Sequence, residues 1–184
     1  MERKYVIAGI GGQGVVFATK ILSRAALLRG EAVIASENHG MSQRGGSVMA
    51  HVKIGQASAP LVRRGAADVL VAFDLTEALR SLTYVRPGGS VYFNGRSALD
   101  PSVSRRLAEL GVQVHAVDAD SRARELGVPA AANLVVLGLA AAHPDFGLSA
   151  ADLEAAVREL GPARAVEGNL RALQAGAEMV PARV

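Results

Sequence analysis

Residues 5–14, YVIAGIGGQG, decide how the first part of this chain folds. The apolar run 5–10 is typical of a buried strand, and it leads directly into glycines. Residues 14–29 (GVVFATKILSRAALLR) carry apolar side chains at helical spacing, and Gly30 stands where a helix commonly ends. A strand, a glycine loop and a helix in this order predict a Rossmann-like glycine loop at the start of an α/β sheet.

Strand-like and helix-like segments continue to alternate along the chain. Further strands are predicted at residues 31–36, 47–54, 67–73, 90–94 and 112–117, further helices at 74–83, 101–110, 119–126, 130–142, 150–160 and 163–177, a polar loop at 37–46 and a turn at 87–89. This alternation predicts an α/β fold, a three-layer α/β/α sandwich, formed by a single domain over residues 1–184 with a helical C-terminal part. The sheet is expected to be mostly parallel, and mixed if segments 31–36 and 47–54 pair across their short connection.

The composition excludes several kinds of site. The 184 residues include no cysteine, so the chain has no disulfide, no thiolate-held zinc, no cysteine nucleophile and no self-contained iron–sulfur cluster. The four histidines lack metal-ligand spacing, so no metal site is predicted. Basic residues are scattered and aromatic residues make up only 4%, which argues against nucleic-acid binding. The uncharged stretch 126–144 is interrupted and too short to span a membrane, so we expect a soluble, cytoplasmic protein.

The first candidate site is the glycine loop, whose predicted binding residues are Gly11, Gly12, Gln13 and Gly14. Glycines tolerate positive φ and let backbone N–H groups approach an anion, and the following helix N-terminus favours phosphate. The spacing also fits G-x-G-x-x-G, and Glu37 follows at about the distance of a ribose-binding acid. Taken alone, the loop predicts either a dinucleotide site or a tight strand–helix turn without a ligand.

The second candidate site is the segment 37–46, ENHGMSQRGG, which follows the second predicted strand. Its predicted binding residues are Ser42, Gln43, Arg44, Gly45 and Gly46. Arg44 can bind phosphate or carboxylate through two parallel hydrogen bonds, and the serine, the amide and the glycine backbone supply further donors. Glu37 and His39 are candidate acid–base groups on the substrate side. We expect this second loop to lie beside the glycine loop, in the crevice where open α/β sheets bind ligands.

Segments from most of the chain support a family resemblance. They are GIGGQGVVFATKIL (9–22), ENHGMSQRGGSVMAHVKIG (37–55), ADVLVAFDLTEALR (67–80), VRPGGSVYFN (85–94) and NLRAL (169–173). On these segments the chain resembles the gamma-type subunits of 2-oxoacid:ferredoxin oxidoreductases. The GGQG loop is general to that family, whereas HGMSQRGG is more similar to the beta subunits of its indolepyruvate branch.

The resemblance implies a division of labour within a complex. Enzymes of this family oxidatively decarboxylate a 2-oxo acid, transfer the acyl group to coenzyme A and pass electrons to ferredoxin, and the indolepyruvate branch acts on aryl pyruvates. Thiamine diphosphate, magnesium and [4Fe-4S] clusters would belong to a catalytic partner subunit, because this chain has no cysteine and no G-D-G motif. Both candidate loops would then face coenzyme A or an interface. This chain would carry no catalytic residue and no tightly bound cofactor, and would be inactive alone.

Two alternatives stay open from the residues themselves. One is an independent Rossmann-type NAD(P)- or FAD-binding oxidoreductase, which the glycine spacing and Glu37 favour. The other is a non-enzymatic module that binds a nucleotide or coenzyme A. A similar choice concerns the alanine-rich helix 130–142, which fits either burial against a partner or the core of this domain.

Overall fold

A single mixed β-sheet forms the centre of the computed structural model, which describes residues 2–39, 45–96, 99–179 and 182–183. The strands of these residues are β1 (Arg3–Ile10), β2 (Val33–His39), β3 (Ser47–Ile54), β4 (Ala67–Ala72), β5 (Val85–Asn94), β6 (Gln113–Val117) and β7 (Ala182–Arg183). They lie in the order β2-β3-β1-β4-β5-β6-β7. Strands β1, β4, β5 and β6 are parallel, while β3 runs antiparallel to both of its neighbours and β7 runs antiparallel to β6.

Helices cover both faces of this sheet. They are α1 (Val15–Leu28), α2 (Leu75–Ser81), α3 (Pro101–Glu109), α4 (Ala119–Glu125), α5 (Ala132–Ala141), α6 (Ala150–Leu160) and α7 (Val166–Ala177). One core cluster joins the sheet to α1, α4, α5, α6 and α7, and the other joins it to α2 and α3. The predicted three-layer α/β/α sandwich with a mixed sheet is therefore confirmed. Within the described residues, no helix has both the length and the apolar character needed to cross a bilayer.

Helix α5 belongs to the core of this domain. Its residues from Asn133 to Ala140 are all buried, and α7 is its main partner. The two helices approach closely at glycines, since a Cβ on Gly138 would lie 1.9 Å from the carbonyl oxygen of Leu173. The choice left open for the helix at 130–142 is thus decided in favour of the domain's own core, because its apolar surface is already covered by this chain.

Two predicted boundaries were wrong for reasons of strand pairing. Residues 37–39 were predicted to start a loop, but they extend β2 by pairing with Ala50, Met49 and Val48 of β3. Residues 87–89 were predicted to be a turn, but they lie inside β5, where the pairing with β4 is irregular between Ala67 and Val69. In both places, hydrogen bonds to a neighbouring strand override the local preference of polar residues and glycines for turns.

Candidate functional site

The two candidate loops meet at the edge of the sheet where β1 ends. Strand β3 runs antiparallel to β1, so its first residue, Ser47, pairs with the last residue of β1, Ile10. One step beyond, the N–H of Gly11 donates to the carbonyl of Gly46 at 2.8 Å. The prediction that the second loop lies beside the glycine loop is confirmed at these residues. The antiparallel β3, which enters the sheet next to β1, is what brings them together.

The glycine loop is closed by its own glutamine. The N–H of Gln13 donates to the Ile10 carbonyl at 3.0 Å, and the side-chain oxygen of Gln13 accepts from the Ile10 N–H at 2.7 Å. Gly12 and Gly14 have φ values of 102° and 82°, which residues that carry a Cβ rarely adopt. The carboxamide oxygen of Gln13 therefore shapes the loop, and the positive-φ glycines turn the chain into α1.

The second loop is described only in part. The predicted binding residues Ser42, Gln43 and Arg44 lie outside the described residues, and for His39 the structure describes the backbone at the end of β2. Gly45 has a φ of 80° and Gly46 follows it with its carbonyl bonded to the glycine loop. Whether these residues bind a ligand stays a prediction.

The position of Glu37 counts against a dinucleotide site. Glu37 pairs with Ala50 of β3, and Ala50 pairs with Ile7 of β1. Strand β3 thus separates Glu37 from β1 by two strand spacings, about 10 Å. In a dinucleotide-binding fold the ribose acid follows a strand directly adjacent and parallel to the first. The NAD(P)- or FAD-binding alternative is therefore not favoured.

A buried carboxylate anchors the exit of the second loop, and sequence reasoning missed it. Glu77, in the first turn of α2, is only 3% exposed. Its carboxylate accepts from the Ser47 hydroxyl at 2.5 Å and from Arg80 Nη1 at 2.7 Å. A glutamate in the first turn of a helix is ordinary by sequence, because acids there favour the helix dipole. No sequence signal showed that this one would reach β3.

An acidic cleft of about 280 Å³ opens on the other side of the glycine loop. Its polar lining comes from the carboxyl ends of four parallel strands: Gln13, Asp74, Asn94, Arg96, Asp118 and Asp120. The three carboxylates already have donors in this chain. Asp74 accepts from the Thr76 N–H at 2.8 Å, Asp118 pairs with Arg96 at 2.8 Å, and Asp120 accepts from Asn94 at 2.9 Å.

Asn94 joins the ends of three elements and was also missed from the sequence. Its side-chain oxygen accepts from the Ala119 N–H at 2.9 Å. Its amide group donates to Asp120 at 2.9 Å and to the Phe73 carbonyl at 3.4 Å. The end of β4, the end of β5 and the start of α4 are thereby held together. A polar residue that ends a buried parallel strand is the signal that could have singled it out.

The cleft side of the glycine loop carries a net negative charge. Three carboxylates line it, from Asp74, Asp118 and Asp120, and one cation, Arg96, which pairs with Asp118. This balance disfavours a phosphate in the cleft. The first turn of α1 carries no acidic residue, so no carboxylate of that turn competes for the N–H groups at the start of the helix.

Metal ligands are not clustered in the parts of the chain that the structure describes. Among residues 2–39, 45–96, 99–179 and 182–183, no group of three His, Asp or Glu side chains could hold a metal ion. His115 and His143 do form a ring contact, with centroids 4.0 Å apart. Burial, followed by the nearby His143, lowers the pKa of His115 to about 4.

Comparison with known proteins identifies the family. The family model described as pyruvate ferredoxin/flavodoxin oxidoreductase matches residues 4–179. The chain belongs to this family. It is 35% identical to the indolepyruvate oxidoreductase subunit IorB of Archaeoglobus fulgidus, over 96% of this chain and 94% of that protein. It is 37% identical to the IorB subunit of Pyrococcus horikoshii, over 95% and 94% of the two chains.

A solved structure supports the same assignment. The keto/oxoacid ferredoxin oxidoreductase gamma subunit of Geobacter sulfurreducens superposes with a TM-score of 0.74 and 26% identity, covering 96% of each chain. The resemblance predicted from the two loops is thereby confirmed as membership of the pyruvate ferredoxin/flavodoxin oxidoreductase family. Because its relatives are named as subunits, membership also implies a catalytic partner subunit.

Proposed function

We propose that this chain is the accessory subunit of a 2-oxoacid:ferredoxin oxidoreductase that converts indolepyruvate or other aryl pyruvates to acyl-CoA. The observation that carries the proposal is the joining of the two family loops at Gly11 and Gly46, in a chain of this family. Relatives named as indolepyruvate oxidoreductase subunits, matched over almost their whole length, support the choice of substrate. Ferredoxin is the electron acceptor in this proposal.

The chemistry of oxidation is assigned to the catalytic partner. Thiamine diphosphate with magnesium supplies the carbanion chemistry of decarboxylation when bound, and [4Fe-4S] clusters carry the electrons. This chain has no thiolate for a cluster and no G-D-G motif. Its own contribution is to bind and orient a ligand at the two loops.

Coenzyme A is the ligand that we assign to these loops. Gly12 and Gly45 both have positive φ, and a Cβ on either would meet nothing within 4 Å, so the backbone there is open to close approach. The N-terminus of α1 favours phosphate, and Arg44 can bind it with two hydrogen bonds. The candidate binding residues remain Gly11, Gly12, Gln13, Gly14, Ser42, Gln43, Arg44, Gly45 and Gly46, with Glu37 and His39 toward the substrate.

The decisive experiment uses the chain with and without its catalytic subunit. Indolepyruvate oxidation, followed with coenzyme A and a viologen dye as electron acceptor, should require both subunits. Oxidation by the isolated chain would contradict the accessory role, and NAD binding to it at micromolar affinity would revive the dinucleotide alternative.

Substitution of Arg44 tests the ligand assignment. In the complex, Arg44→Ala should raise the KM for coenzyme A about tenfold or more, since a charge-assisted contact to phosphate is lost. The matched control is Arg64→Ala, an exposed arginine in the connection that follows β3 at the opposite edge of the sheet. Equal KM values for the two variants would move the coenzyme A site away from the second loop. A preference for pyruvate over both indolepyruvate and phenylpyruvate would correct the substrate alone.

A further inference from the structure

Glu77 is the most deeply buried carboxylate among the described residues, and both of its oxygens are occupied. Its Oε2 accepts from the Ser47 hydroxyl and its Oε1 accepts from Arg80. The Arg80 side chain is 66% exposed, so the guanidinium reaches this buried group from the surface. Burying a carboxylate costs free energy that a paired charge and hydrogen bonds only roughly offset. The arrangement therefore calls for a role beyond filling space.

The first turn of α2 is already satisfied without the Glu77 side chain. Asp74 caps the helix, and its Oδ1 accepts from the backbone N–H of Thr76 at 2.8 Å and of Glu77 at 3.2 Å. The charge of Glu77 is thus not needed to start the helix. Outside α2, its carboxylate accepts a hydrogen bond from the hydroxyl of Ser47, the first residue of β3.

Ser47 is the residue through which the second loop re-enters the sheet. Its neighbour Gly46 is bonded to Gly11 of the glycine loop. Two consecutive residues therefore anchor the loop exit in two directions, one to the glycine loop through the backbone and one to α2 through a side chain. A chain segment held at two adjacent residues has a fixed direction as well as a fixed position.

We propose that Glu77 is the positioning residue for the exit of the second loop: through Ser47 it holds Gly45 and Gly46 against the glycine loop, where their backbone binds the anionic part of coenzyme A. This deepens the proposed function and rests on it. Arg80 supports this role, because its guanidinium neutralises the Glu77 carboxylate, which would otherwise repel an anion bound nearby. Glu77 itself does not touch the ligand.

The test compares four variants in complex with the catalytic subunit. Glu77→Ala and Ser47→Ala each remove one end of the anchor, and Glu77→Gln keeps an oxygen that can accept from Ser47. The matched control is Asp68→Asn, a carboxylate at the opposite edge of the sheet that accepts from the Lys4 N–H at 2.8 Å and from Arg86 at 2.6 Å. Coenzyme A KM, indolepyruvate KM and kcat at saturating coenzyme A are measured for each.

We expect a specific loss of coenzyme A affinity. Glu77→Ala should raise the KM for coenzyme A about tenfold and Ser47→Ala about threefold, with the indolepyruvate KM and kcat within about twofold of wild type. Glu77→Gln should recover most of the affinity. Asp68→Asn should lower the melting temperature and leave the coenzyme A KM unchanged.

Limited trypsin digestion gives a readout that does not depend on turnover. Trypsin cleaves after Arg44, and coenzyme A should slow this cleavage in the wild-type complex. At the same coenzyme A concentration the protection should be reduced in Glu77→Ala and retained in Asp68→Asn. If Glu77→Ala does not fold, Ser47→Ala decides the matter, because it removes a single hydroxyl.

The outcomes separate this inference from the function on which it rests. Melting temperatures that fall in Glu77→Ala and Ser47→Ala, with coenzyme A KM and protection unchanged, would make the anchor purely structural and overturn the proposal. If Arg44→Ala weakens coenzyme A binding in that case, the proposed function stands without the positioning role. If neither Arg44→Ala nor Glu77→Ala affects coenzyme A, the positioning role falls together with the assignment of coenzyme A to the second loop, and the accessory role still depends on the assay with and without the catalytic subunit.

Discussion

Gly14 and the side chain of Asn133 share one corner of the fold: a Cβ on Gly14 would lie 2.1 Å from Asn133 Nδ2. The same amide group reaches the Gly14 carbonyl at 3.4 Å, and its oxygen accepts from the Leu134 N–H at 2.8 Å. The glycine loop is thus fitted to α5, a helix more than a hundred residues away in sequence. Glycine is required at position 14 for two reasons: its φ is 82°, and a Cβ there would collide with the side chain of Asn133.

Gly14→Ala should destabilise the protein by about 2–4 kcal/mol, because it adds a steric clash to the backbone strain of a left-handed residue. The control is Gly12→Ala, where φ is also positive but a Cβ would meet nothing within 4 Å. That variant should lose only about 1–2 kcal/mol. Urea unfolding of both variants measures the difference. Equal losses would show that Asn133 moves aside without cost.

Alanine in the contact between α5 and α7 should be more damaging. A Cβ on Gly138 or on Gly176 would lie 1.9 Å from a backbone oxygen of the facing helix, so the helices must move apart. We expect each Gly→Ala change to cost about 3 kcal/mol or more in the free energy of unfolding. Gly168→Ala is the comparison within α7, because its Cβ would lie 2.7 Å from Cγ1 of Val128, which is a side-chain atom and not a backbone atom. It should cost less in thermal unfolding than either of the other two changes, because one side chain can shift without moving the helices apart; a comparable loss there would contradict the argument from backbone contact.

Acid should weaken the fold through His115. This ring stacks on Tyr92 at 5.1 Å and contacts His143, and burial followed by the His143 charge lowers its pKa to about 4. The unfolded chain, with a histidine pKa of about 6.5, takes up the proton first as the pH falls. The contribution of His115 to the free energy of unfolding is therefore fully present above the unfolded-state pKa of about 6.5. It is lost progressively as the pH falls toward the folded-state pKa of about 4, by about 1–3 kcal/mol.

His115→Phe keeps the stacked ring and removes the titration. Its unfolding free energy should fall less than that of the wild type between pH 7 and pH 4.5. A smaller slope should remain, because burial, followed by the charge of Lys53, also lowers the pKa of His51. A direct NMR titration that finds His115 protonating near pH 6.5 in the folded protein would refute the prediction.

Asn94→Ala should cost about 2–3 kcal/mol, because it leaves the buried Ala119 N–H without its acceptor and Asp120 without a donor. Asn38→Ala, at an exposed position of β2, should change stability by less than about 0.5 kcal/mol. Guanidinium unfolding of the two variants provides the comparison. Similar values would show that water replaces the asparagine at the cleft.

Local patterns were sufficient for much of the architecture. The apolar run before Gly11, the helical spacing after Gly14 and the alternation that follows predicted the three layers, because periodicity and turn chemistry act within a few residues. The residue motifs of the two loops also predicted the family, which the comparison with known proteins confirms. The same local reasoning assigned residues 37–39 to a loop, since pairing with β3 leaves no trace in their own sequence.

The residue pattern was enough to predict the order of strands β1 to β6 and of the seven helices, the lack of thiol groups in this chain and the two loops that mark the family. The folded chain was needed to show that β3 lies between β1 and β2, that α5 is covered by α7, and that Glu77 reaches Ser47. Each of these depends on which distant segments pair or pack. These long-range pairings are set by the free energy of the whole fold, so they cannot be inferred from a short stretch of neighbouring residues.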